Sequence, residues 1–410
     1  MNLRIHPGRP QGVIAAPPSK SIAHRLLLCA GLSAGESRVR GVQLSDDIRA
    51  TVDCLRALGA AVRLEGDCAT VRGVDPREAK SAVLPCNACG STLRFFLPLC
   101  LLGDAPMTLT GTQTLLQRPL TVYETLCRAQ GLRFERDAEQ ITVQGPLAPG
   151  VFEIPGNISS QFVTGLLFAL PLLDGDSELR LLPPVESRPY IDLTLQALRE
   201  FGIGITAQGD CFRIPGGQRF RARDCAVEGD ASNAAFLEAL NLIGGAVTVT
   251  GLHPASLQGD RVYESCFRQL QGGFAEIDLS DCPDLAPVLF AAAALLHGGR
   301  FTGTARLRIK ESDRGAAMQQ ELRKFGCALE IRENEITVPP CALHAPDVPL
   351  DGHNDHRIVM ALAVLACRFG GLLRGAQAVE KSYPGFFDDL KTLQIELEAE
   401  PCNGSVTAAF

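Results

Sequence analysis

A pattern about seventy residues long recurs along this chain, and it restricts the fold more than any other feature. Each copy has an apolar helical stretch, a glycine, and then alternating apolar and polar residues. Clear copies start at Leu55 (LRALGAAVR), Leu126 (LCRAQGLRF), Leu198 (LREFGIGI) and Leu322 (LRKFGCAL), and weaker copies start at Phe267 (FRQLQGGF) and Leu390 (LKTLQIEL). Six copies favour two domains of three related units each over chance recurrence of a helix-stop signal.

The glycine in each clear copy predicts the end of a helix, because glycine readily adopts the left-handed conformation that caps helices. Gly59, Gly131 and Gly202 stand 72 and 71 residues apart. The residues that follow read as a strand, a polar turn and a second strand, as in AVRLEGDCATVR from Ala61 and LEIRENEITV from Leu329. The sequence therefore predicts helices mixed with strands throughout.

The charge and hydropathy of the chain argue against several classes of protein. The 410 residues carry a formal charge of −7, which argues against general nucleic-acid binding and leaves small anionic ligands for any local basic cluster. MNLRIHPGRP at the N-terminus does not resemble a signal peptide. The longest apolar runs, such as PVLFAAAALL from Pro287, fall short of the roughly 20 residues of a membrane span. We expect a cytoplasmic protein with neither nucleic acid nor membrane as a partner.

Cysteine usage indicates packing rather than chemistry. The chain has 15 cysteines, scattered through apolar stretches and expected to be reduced. Cys86 and Cys89 form a C-x-x-C, which leaves a zinc site as the alternative, but no second pair follows at zinc-ribbon spacing. No H-E-x-x-H occurs, and we expect no metal.

Several helix starts carry polar side chains that suit an anionic ligand. PPSKSIAHR from Pro17 places Lys20, Ser21 and Arg25 at the start of an apolar helix, where backbone N–H groups also face an anion. CGSTLRF from Cys89 and GNISSQF from Gly156 are similar loops before apolar helices. Each alone fits an ordinary capped helix, whereas three together favour one polyanionic ligand.

The second half of the chain also places acidic and basic side chains beside apolar segments. DGHNDHRIVMA from Asp351 and EKSYPGF from Glu380 place polar groups beside apolar segments, and Asp284 stands just before an apolar run as a cap or an acid/base. In RLRIKESDRG from Arg306, Ser312 and Asp313 have the types that cap a helix. A basic Arg314 in the first helical turn then predicts that an anion binds there.

Taken in order, these motifs resemble the 5-enolpyruvylshikimate-3-phosphate synthases (3-phosphoshikimate 1-carboxyvinyltransferases), a family of enolpyruvyl transferases. The motifs are PSKS (18–21) with Arg25, GSTLR (90–94), QRP (117–119), SSQ (159–161), SRPY (187–190), EGDAS (228–232), Pro283-Asp284, KESDR (310–314), NDHR (354–357) and KSYP (381–384). The resemblance covers about residues 14–387, and KESDR with NDHR is its most specific part.

The resemblance implies an α/β (α+β) fold of two similar domains, each of three βαβαββ-type units arranged as an inside-out α/β barrel. The expected domains are residues 19–227, mainly on the shikimate 3-phosphate side, and residues 1–18 plus 228–410, mainly on the acid/base and phosphoenolpyruvate side. The active site is expected in the cleft between them.

The implied reaction transfers the enolpyruvyl group of phosphoenolpyruvate to the 5-hydroxyl of shikimate 3-phosphate, through a tetrahedral intermediate and with release of phosphate. It needs no cofactor and no metal, and a monomer is expected. The implied catalytic residues are Asp284, Glu311, Lys310, Lys20 and His356. The implied shikimate 3-phosphate ligands are Lys20, Ser21, Arg25, Ser159, Ser160, Gln161, Ser187, Tyr190, Asp284 and Lys310. The implied phosphoenolpyruvate ligands are Lys20, Gly90, Arg118, Gln161, Arg314, Arg357 and Lys381, and the small residue Gly90 predicts that glyphosate competes with phosphoenolpyruvate.

Two positions depart from the family pattern, and two alternatives stay open. Ala88 stands where a polar residue is usual, and Arg306 stands where Asn is common. The alternatives are a UDP-N-acetylglucosamine enolpyruvyl transferase, which shares the fold, and a catalytically dead relative that only binds anions.

Overall fold

The computed structural model describes residues 1–401 and divides into two compact units. The first unit comprises Pro18–Glu228 and the short segment Ala255–Gly259. The second unit comprises Met1–Pro17, Gly229–Pro254 and the described chain from Asp260 onward. Ala255–Gly259 joins the first unit through Glu228, whose Oε1 accepts hydrogen bonds from Ser256 Oγ at 2.6 Å and Gln258 Nε2 at 3.3 Å.

The first unit combines helices with four sheets. Its helices are Lys20–Gly31, Asp46–Ala57, Gly90–Cys100, Gln113–Leu116, Thr121–Gln130, Ser160–Ala169 and Arg188–Glu200. Its strands, in sheet order, are Cys225–Ala226, Glu36–Arg40, Cys68–Arg72 and Ala61–Glu65; Val83–Pro85, Met107–Thr110, Gln140–Gln144 and Arg133–Arg136; Val151–Pro155, Ser177–Leu182, Cys211–Ile214 and Thr206–Gln208; and the pair Phe220–Arg221 with Ser33–Ala34.

The second unit has the same kinds of element. Its helices are Ala231–Ala239, Tyr263–Gly272, Ala286–Leu295, Arg314–Lys324, His356–Phe369 and Phe386–Thr392. Its strands, in sheet order, are Ala275–Asp278, Gly299–Thr302, Glu335–Val338 and Glu330–Ile331; Leu350–Asp351, Gly371–Arg374, Asn2–Ile5 and Leu397–Glu400; and the pair Ala246–Thr250 with Gln11–Ala15.

The four-stranded sheets share one pairing pattern. In each, the first pair of strands is parallel and the two following pairs are antiparallel. In four of these sheets, the two antiparallel strands at the end of the sheet form the predicted hairpin, which follows Gly59, Gly131, Gly202 or Gly326. All four glycines have positive φ. The helix–glycine–hairpin prediction is therefore confirmed for the four clear copies.

The two weak copies differ from the predicted hairpin. After the copy at Phe267 comes a single strand, Ala275–Asp278, which pairs in parallel with Gly299–Thr302. After the copy at Leu390 comes Leu397–Glu400, and its antiparallel partner is the N-terminal strand Asn2–Ile5. A strand from the other end of the chain thus completes a repeat that the local sequence leaves incomplete.

Each unit buries its own apolar core. Leu27, Phe96 and Leu166 are fully buried in the first unit, and Phe290 and Leu362 are fully buried in the second. The cores explain why helices such as Ala286–Leu295 are apolar on every side, since the sheets and neighbouring helices cover them. No helix within residues 1–401 combines the length and apolar character needed to cross a membrane.

Replacing Gly131 by Ala is expected to lower the free energy of unfolding by about 1 kcal/mol, because its φ of 68° is unfavourable for a residue with a Cβ. The added Cβ meets no atom within 4 Å, so the effect is conformational rather than steric. Urea unfolding followed by circular dichroism measures it. Gly204→Ala in the same unit is the control, because its φ lies outside the left-handed region. Equal losses in both variants contradict the prediction.

Candidate active-site residues

Lys20 begins the helix Lys20–Gly31 and forms an ion pair that the sequence did not reveal. Its Nζ lies 2.9 Å from Oδ2 of Asp47, and both side chains are mostly buried. Asp47 lies in the first turn of the helix Asp46–Ala57, which Ser45 caps. Ser19 occupies the N-cap position before Lys20 without making a side-chain cap bond.

Arg25 contacts two other predicted site residues, Ser21 and Tyr190. It is buried, and it donates to the carbonyl of Ser21 at 2.6 Å, the carbonyl of Tyr190 at 2.8 Å and Oγ1 of Thr194 at 2.9 Å. Burial lowers its pKa to about 10. Three of the predicted shikimate 3-phosphate residues, Ser21, Arg25 and Tyr190, therefore lie together.

Gln161 is oriented by two side chains of the GSTLR motif. Its Oε1 accepts from Arg94 at 2.6 Å, and its Nε2 donates to Ser91 Oγ at 2.9 Å. The guanidinium of Arg94 also lies over the ring of Phe162, 4.9 Å from the centroid. Arg94 is thus a positioning residue for Gln161, although the sequence analysis did not assign it to the site.

The serines near these helix starts are placed differently. Ser159 is the N-cap of the helix Ser160–Ala169 and accepts from the N–H of Gln161 at 3.3 Å, while Ser160 is buried in the first turn. Ser187 precedes the helix Arg188–Glu200 with φ 58°, a left-handed conformation, and makes no cap bond there. A non-glycine residue in this conformation marks a place where function and backbone strain often coincide.

Gly90 lets the guanidinium of Arg118 approach the backbone. A Cβ at Gly90 would lie 2.5 Å from Arg118 Nη1 and 3.6 Å from Arg94 Nη1. A Cβ at this position would therefore collide with the Arg118 side chain, and room beside Gly90 for phosphoenolpyruvate stays a prediction.

Asp284 is surrounded by three cations in the second unit. Its Oδ1 lies 3.2 Å from Lys310 Nζ and 2.8 Å from Arg314 Nη1, and its Oδ2 lies 3.5 Å from Arg357 Nη2. Burial on its own raises the pKa of Asp284, but Lys310, Arg357 and Arg314 hold it well below its usual range. Burial also lowers the pKa of Lys310, against the opposing effect of Asp284.

Arg314 is a fully buried charge neutralised by the protein itself. Its guanidinium donates to Asp284 at 2.8 Å, to Glu311 at 2.8 Å and to Asp355 at 2.9 Å. The anions beside Arg314 in this structure are therefore carboxylates of the chain, and the binding of a ligand anion there stays a prediction. Asp313 caps the helix Arg314–Lys324 as predicted, and Ser312 donates to Asp355 instead of capping.

The NDHR motif (354–357) contributes Arg357, whose guanidinium has nitrogens that can still form hydrogen bonds to a ligand. Arg357 is buried, and within the described residues its Nε and Nη1 have no hydrogen-bond partner. Its neighbour His356 is buried, with Nδ1 3.9 Å from Asp355 Oδ1. Lys381 donates to the carbonyl of Asn354 at 2.5 Å, so the KSYP and NDHR motifs meet.

The two positions that depart from the family pattern lie beside the predicted sites. Ala88 is in the turn before the helix Gly90–Cys100. Arg306 is buried in the short 3-10 helix Ala305–Ile309 and donates to the carbonyl of Ser280 at 2.5 Å. An arginine at this position thus contacts the backbone next to the Asp284 segment, and its contact with a phosphate stays a prediction.

A buried carboxylate fixes the loop before the NDHR motif. Glu321 receives Lys324 Nζ at 2.7 Å, His353 Nε2 at 3.0 Å and the N–H of Asp351 at 2.9 Å. His353 and Asn354 both have positive φ, 47° and 52°. The hydrogen bonds to Glu321 hold this strained loop in place. They join residues that are too far apart in sequence to be recognised as one motif.

The sequence and the fold of this chain are both similar to those of known proteins. The sequence model described as EPSP synthase (3-phosphoshikimate 1-carboxyvinyltransferase) matches residues 6–390. Proteins named 3-phosphoshikimate 1-carboxyvinyltransferase from Clostridium kluyveri and Clostridium beijerinckii are 37% and 38% identical, covering 96% of this chain and 97% of each relative. A solved EPSP synthase structure from Acinetobacter baumannii is similar with a TM-score of 0.77 and 22% identity, covering 97% of this chain and 100% of that one.

His353 is expected to stabilise the fold only at lower pH. The hydrogen bond to Glu321 raises its pKa against the effect of burial, so its stabilisation is complete below the unfolded value of about 6.5 and is lost as the pH rises through the folded value. The free energy of unfolding of His353→Asn should therefore fall below that of the wild type at about pH 5.5 and approach it at about pH 8.5.

His297→Asn is the control for that measurement, because His297 is exposed. A deficit of His353→Asn that is the same at both pH values, or larger at the higher one, contradicts the assignment of the ion pair.

Proposed function

Because the chain belongs to the EPSP synthase family, we propose that it transfers the enolpyruvyl group of phosphoenolpyruvate to the 5-hydroxyl of shikimate 3-phosphate. The products are 5-enolpyruvylshikimate 3-phosphate and phosphate, in the pathway to aromatic amino acids. The assignment of residues rests mainly on the surroundings of Asp284. Its carboxylate faces one ammonium and two guanidinium groups. This arrangement suits an acid/base group beside anionic substrates.

The second unit supplies the proton transfers in this proposal. Asp284 takes the proton of the 5-hydroxyl, and Glu311 exchanges a proton with the methylene carbon. A carboxylate held ionised by three cations is a weak base. It becomes more basic once phosphoenolpyruvate draws Arg357 toward its own charges. Lys310, as the ammonium that pairs with Asp284, can hold the hydroxyl oxygen or pass on its own proton, and His356 is a further acid/base candidate.

Phosphoenolpyruvate is recognised by its negative charges. The nitrogens Nε and Nη1 of Arg357 are buried without partners within residues 1–401, which is costly unless an anion arrives. Arg314 and Lys381 contribute further positive charge in the second unit. In the first unit the proposal assigns Arg118, Gly90 and Gln161 to the same ligand, and Lys20 to both substrates.

Shikimate 3-phosphate is bound by hydroxyl and cationic donors of the first unit. The assigned residues are Lys20, Ser21, Arg25, Ser159, Ser160, Gln161, Ser187 and Tyr190, with Asp284 and Lys310 at its reacting hydroxyl. The bonds of Arg25 to Ser21 and Tyr190 support this assignment, because they bring three of these residues together before any ligand is bound.

We also propose that the protein acts in the cytoplasm with these two metabolites as its partners, because charged phosphorylated substrates do not cross a membrane unaided. A monomer is proposed because all the assigned site residues come from one chain. Light scattering after size exclusion tests the oligomeric state.

Acceptor choice tests the proposed reaction directly. Phosphate release from phosphoenolpyruvate is expected with shikimate 3-phosphate and not with UDP-N-acetylglucosamine. Release only with the UDP-sugar would identify the sibling activity, and release with neither would indicate a protein that binds anions without turnover.

Replacing Asp284 by Asn should reduce kcat by about 10²- to 10⁴-fold, the usual contribution of a general acid/base. The dissociation constant of shikimate 3-phosphate should change by less than about threefold, because most of its assigned ligands remain. Asp281→Asn, an exposed carboxylate three residues earlier, is the control. Turnover by a folded Asp284→Asn variant at the wild-type rate would remove Asp284 from the mechanism.

Gly90→Ala should raise KM for phosphoenolpyruvate about tenfold, because the new Cβ displaces the tip of Arg118. The KM for shikimate 3-phosphate should change less. Adding Gly90→Ala to an Arg118→Ala variant gives the decisive comparison, since the effect acts through Arg118 and should then disappear. Equal effects of Gly90→Ala in both backgrounds contradict this explanation.

A further inference from the structure

Three side chains of the first unit bring together the atoms that thiophilic metals prefer. His24, Asp47 and Cys89 are all buried, and one nitrogen, one carboxylate oxygen and one sulfur lie within 4.8 Å of one another. Cys89 Sγ is 3.9 Å from His24 Nε2. Ligand atoms around a tetrahedral zinc ion stand about 3.5 Å apart, so small side-chain shifts close the site.

The imidazole of His24 is already oriented for this role. Its Nδ1 lies 2.7 Å from Thr51 Oγ1, which in turn lies 2.8 Å from Thr92 Oγ1. When Nδ1–H donates to Thr51, the lone pair of Nε2 faces Cys89. A hydrogen bond to the second ring nitrogen fixes the tautomer and the ring orientation, as the partners of metal-binding histidines do.

Cys89 is placed where a thiolate can form when a metal arrives. It is the N-cap of the helix Gly90–Cys100, and its sulfur accepts from the N–H of Thr92 at 3.4 Å. The positive end of a helix stabilises a thiolate, whereas burial keeps the group protonated without a metal. Metal binding therefore releases its proton.

Lys20 is the present counter-ion of this cluster, through its bond to Asp47. We propose that His24, Asp47 and Cys89 form a site for a thiophilic divalent cation such as Zn²⁺, which competes with the Lys20 ammonium for Asp47. Binding forms one bond each to nitrogen, oxygen and sulfur, releases the Cys89 proton to solvent, and frees Lys20. The Asp47 carboxylate and the Cys89 thiolate match the two charges of the metal ion, and the Lys20 ammonium stays protonated and turns away from Asp47. Binding itself does not depend on the proposed reaction.

Co²⁺ is the probe for this site, because cobalt bound to a thiolate has a near-ultraviolet charge-transfer band. The full-length wild type should bind one Co²⁺ per chain with this band, and Zn²⁺ should remove the band by displacement. Cys89→Ser should lose the band, and His24→Asn should bind at least about tenfold more weakly. Cys86→Ser is the matched control, since Cys86 is a buried cysteine three residues earlier and outside the cluster.

Lys20→Met tests the competition separately. Removing the ammonium that holds Asp47 should tighten Co²⁺ binding about tenfold, which an inert packing role of the cluster does not predict. The proposal is overturned if the wild type shows no stoichiometric band or if the band persists in Cys89→Ser. If Cys89→Ser does not fold, an unchanged affinity of His24→Asn overturns it. Equal affinities of Lys20→Met and the wild type overturn the competition.

Discussion

The second-unit site depends on the need to neutralise one fully buried guanidinium, that of Arg314. Asp284, Glu311 and Asp355 each accept a hydrogen bond from it, and they come from three separate segments of the chain. Removing one partner of such a buried pair leaves an uncompensated charge, at a cost of about 3–5 kcal/mol. Arg314 therefore fixes the relative positions of the Pro283-Asp284, KESDR (310–314) and NDHR (354–357) segments.

In the mechanism that we propose, the same charges account for a strongly ionised carboxylate acting as a base. In the ligand-free arrangement Asp284 is neutralised by Lys310, Arg314 and Arg357, so it holds protons weakly. In this proposal an anionic substrate competes for Arg357, and its arrival raises the basicity of Asp284 when the acceptor hydroxyl is present. The proposal therefore derives both the organisation of the site and its reactivity from one set of ion pairs.

Local features of the fold were predictable from the sequence, and contacts between distant segments were not. The glycine-ended helices at Gly59 and Gly131 and the cap at Asp313 follow from short-range rules, and the structure confirms them. Asp47 was missed as the partner of Lys20, since an acidic residue in a first helical turn looks like an ordinary dipole effect. The resemblance assigned residues 1–18 to the second domain, but the pairing of the strand Asn2–Ile5 with Leu397–Glu400 was not predicted, because short-range rules do not identify a partner at the other end of the chain.

Carbon-13 NMR of the Asp284 carboxyl, assigned by its loss in Asp284→Asn, tests the central claim most directly. In the free protein the signal should show an ionised carboxylate down to pH values well below the usual range for Asp. With phosphoenolpyruvate bound and shikimate 3-phosphate absent, its pKa should rise as the cations turn to the ligand. An ordinary pKa in the free protein, or no change on binding phosphoenolpyruvate, contradicts the account.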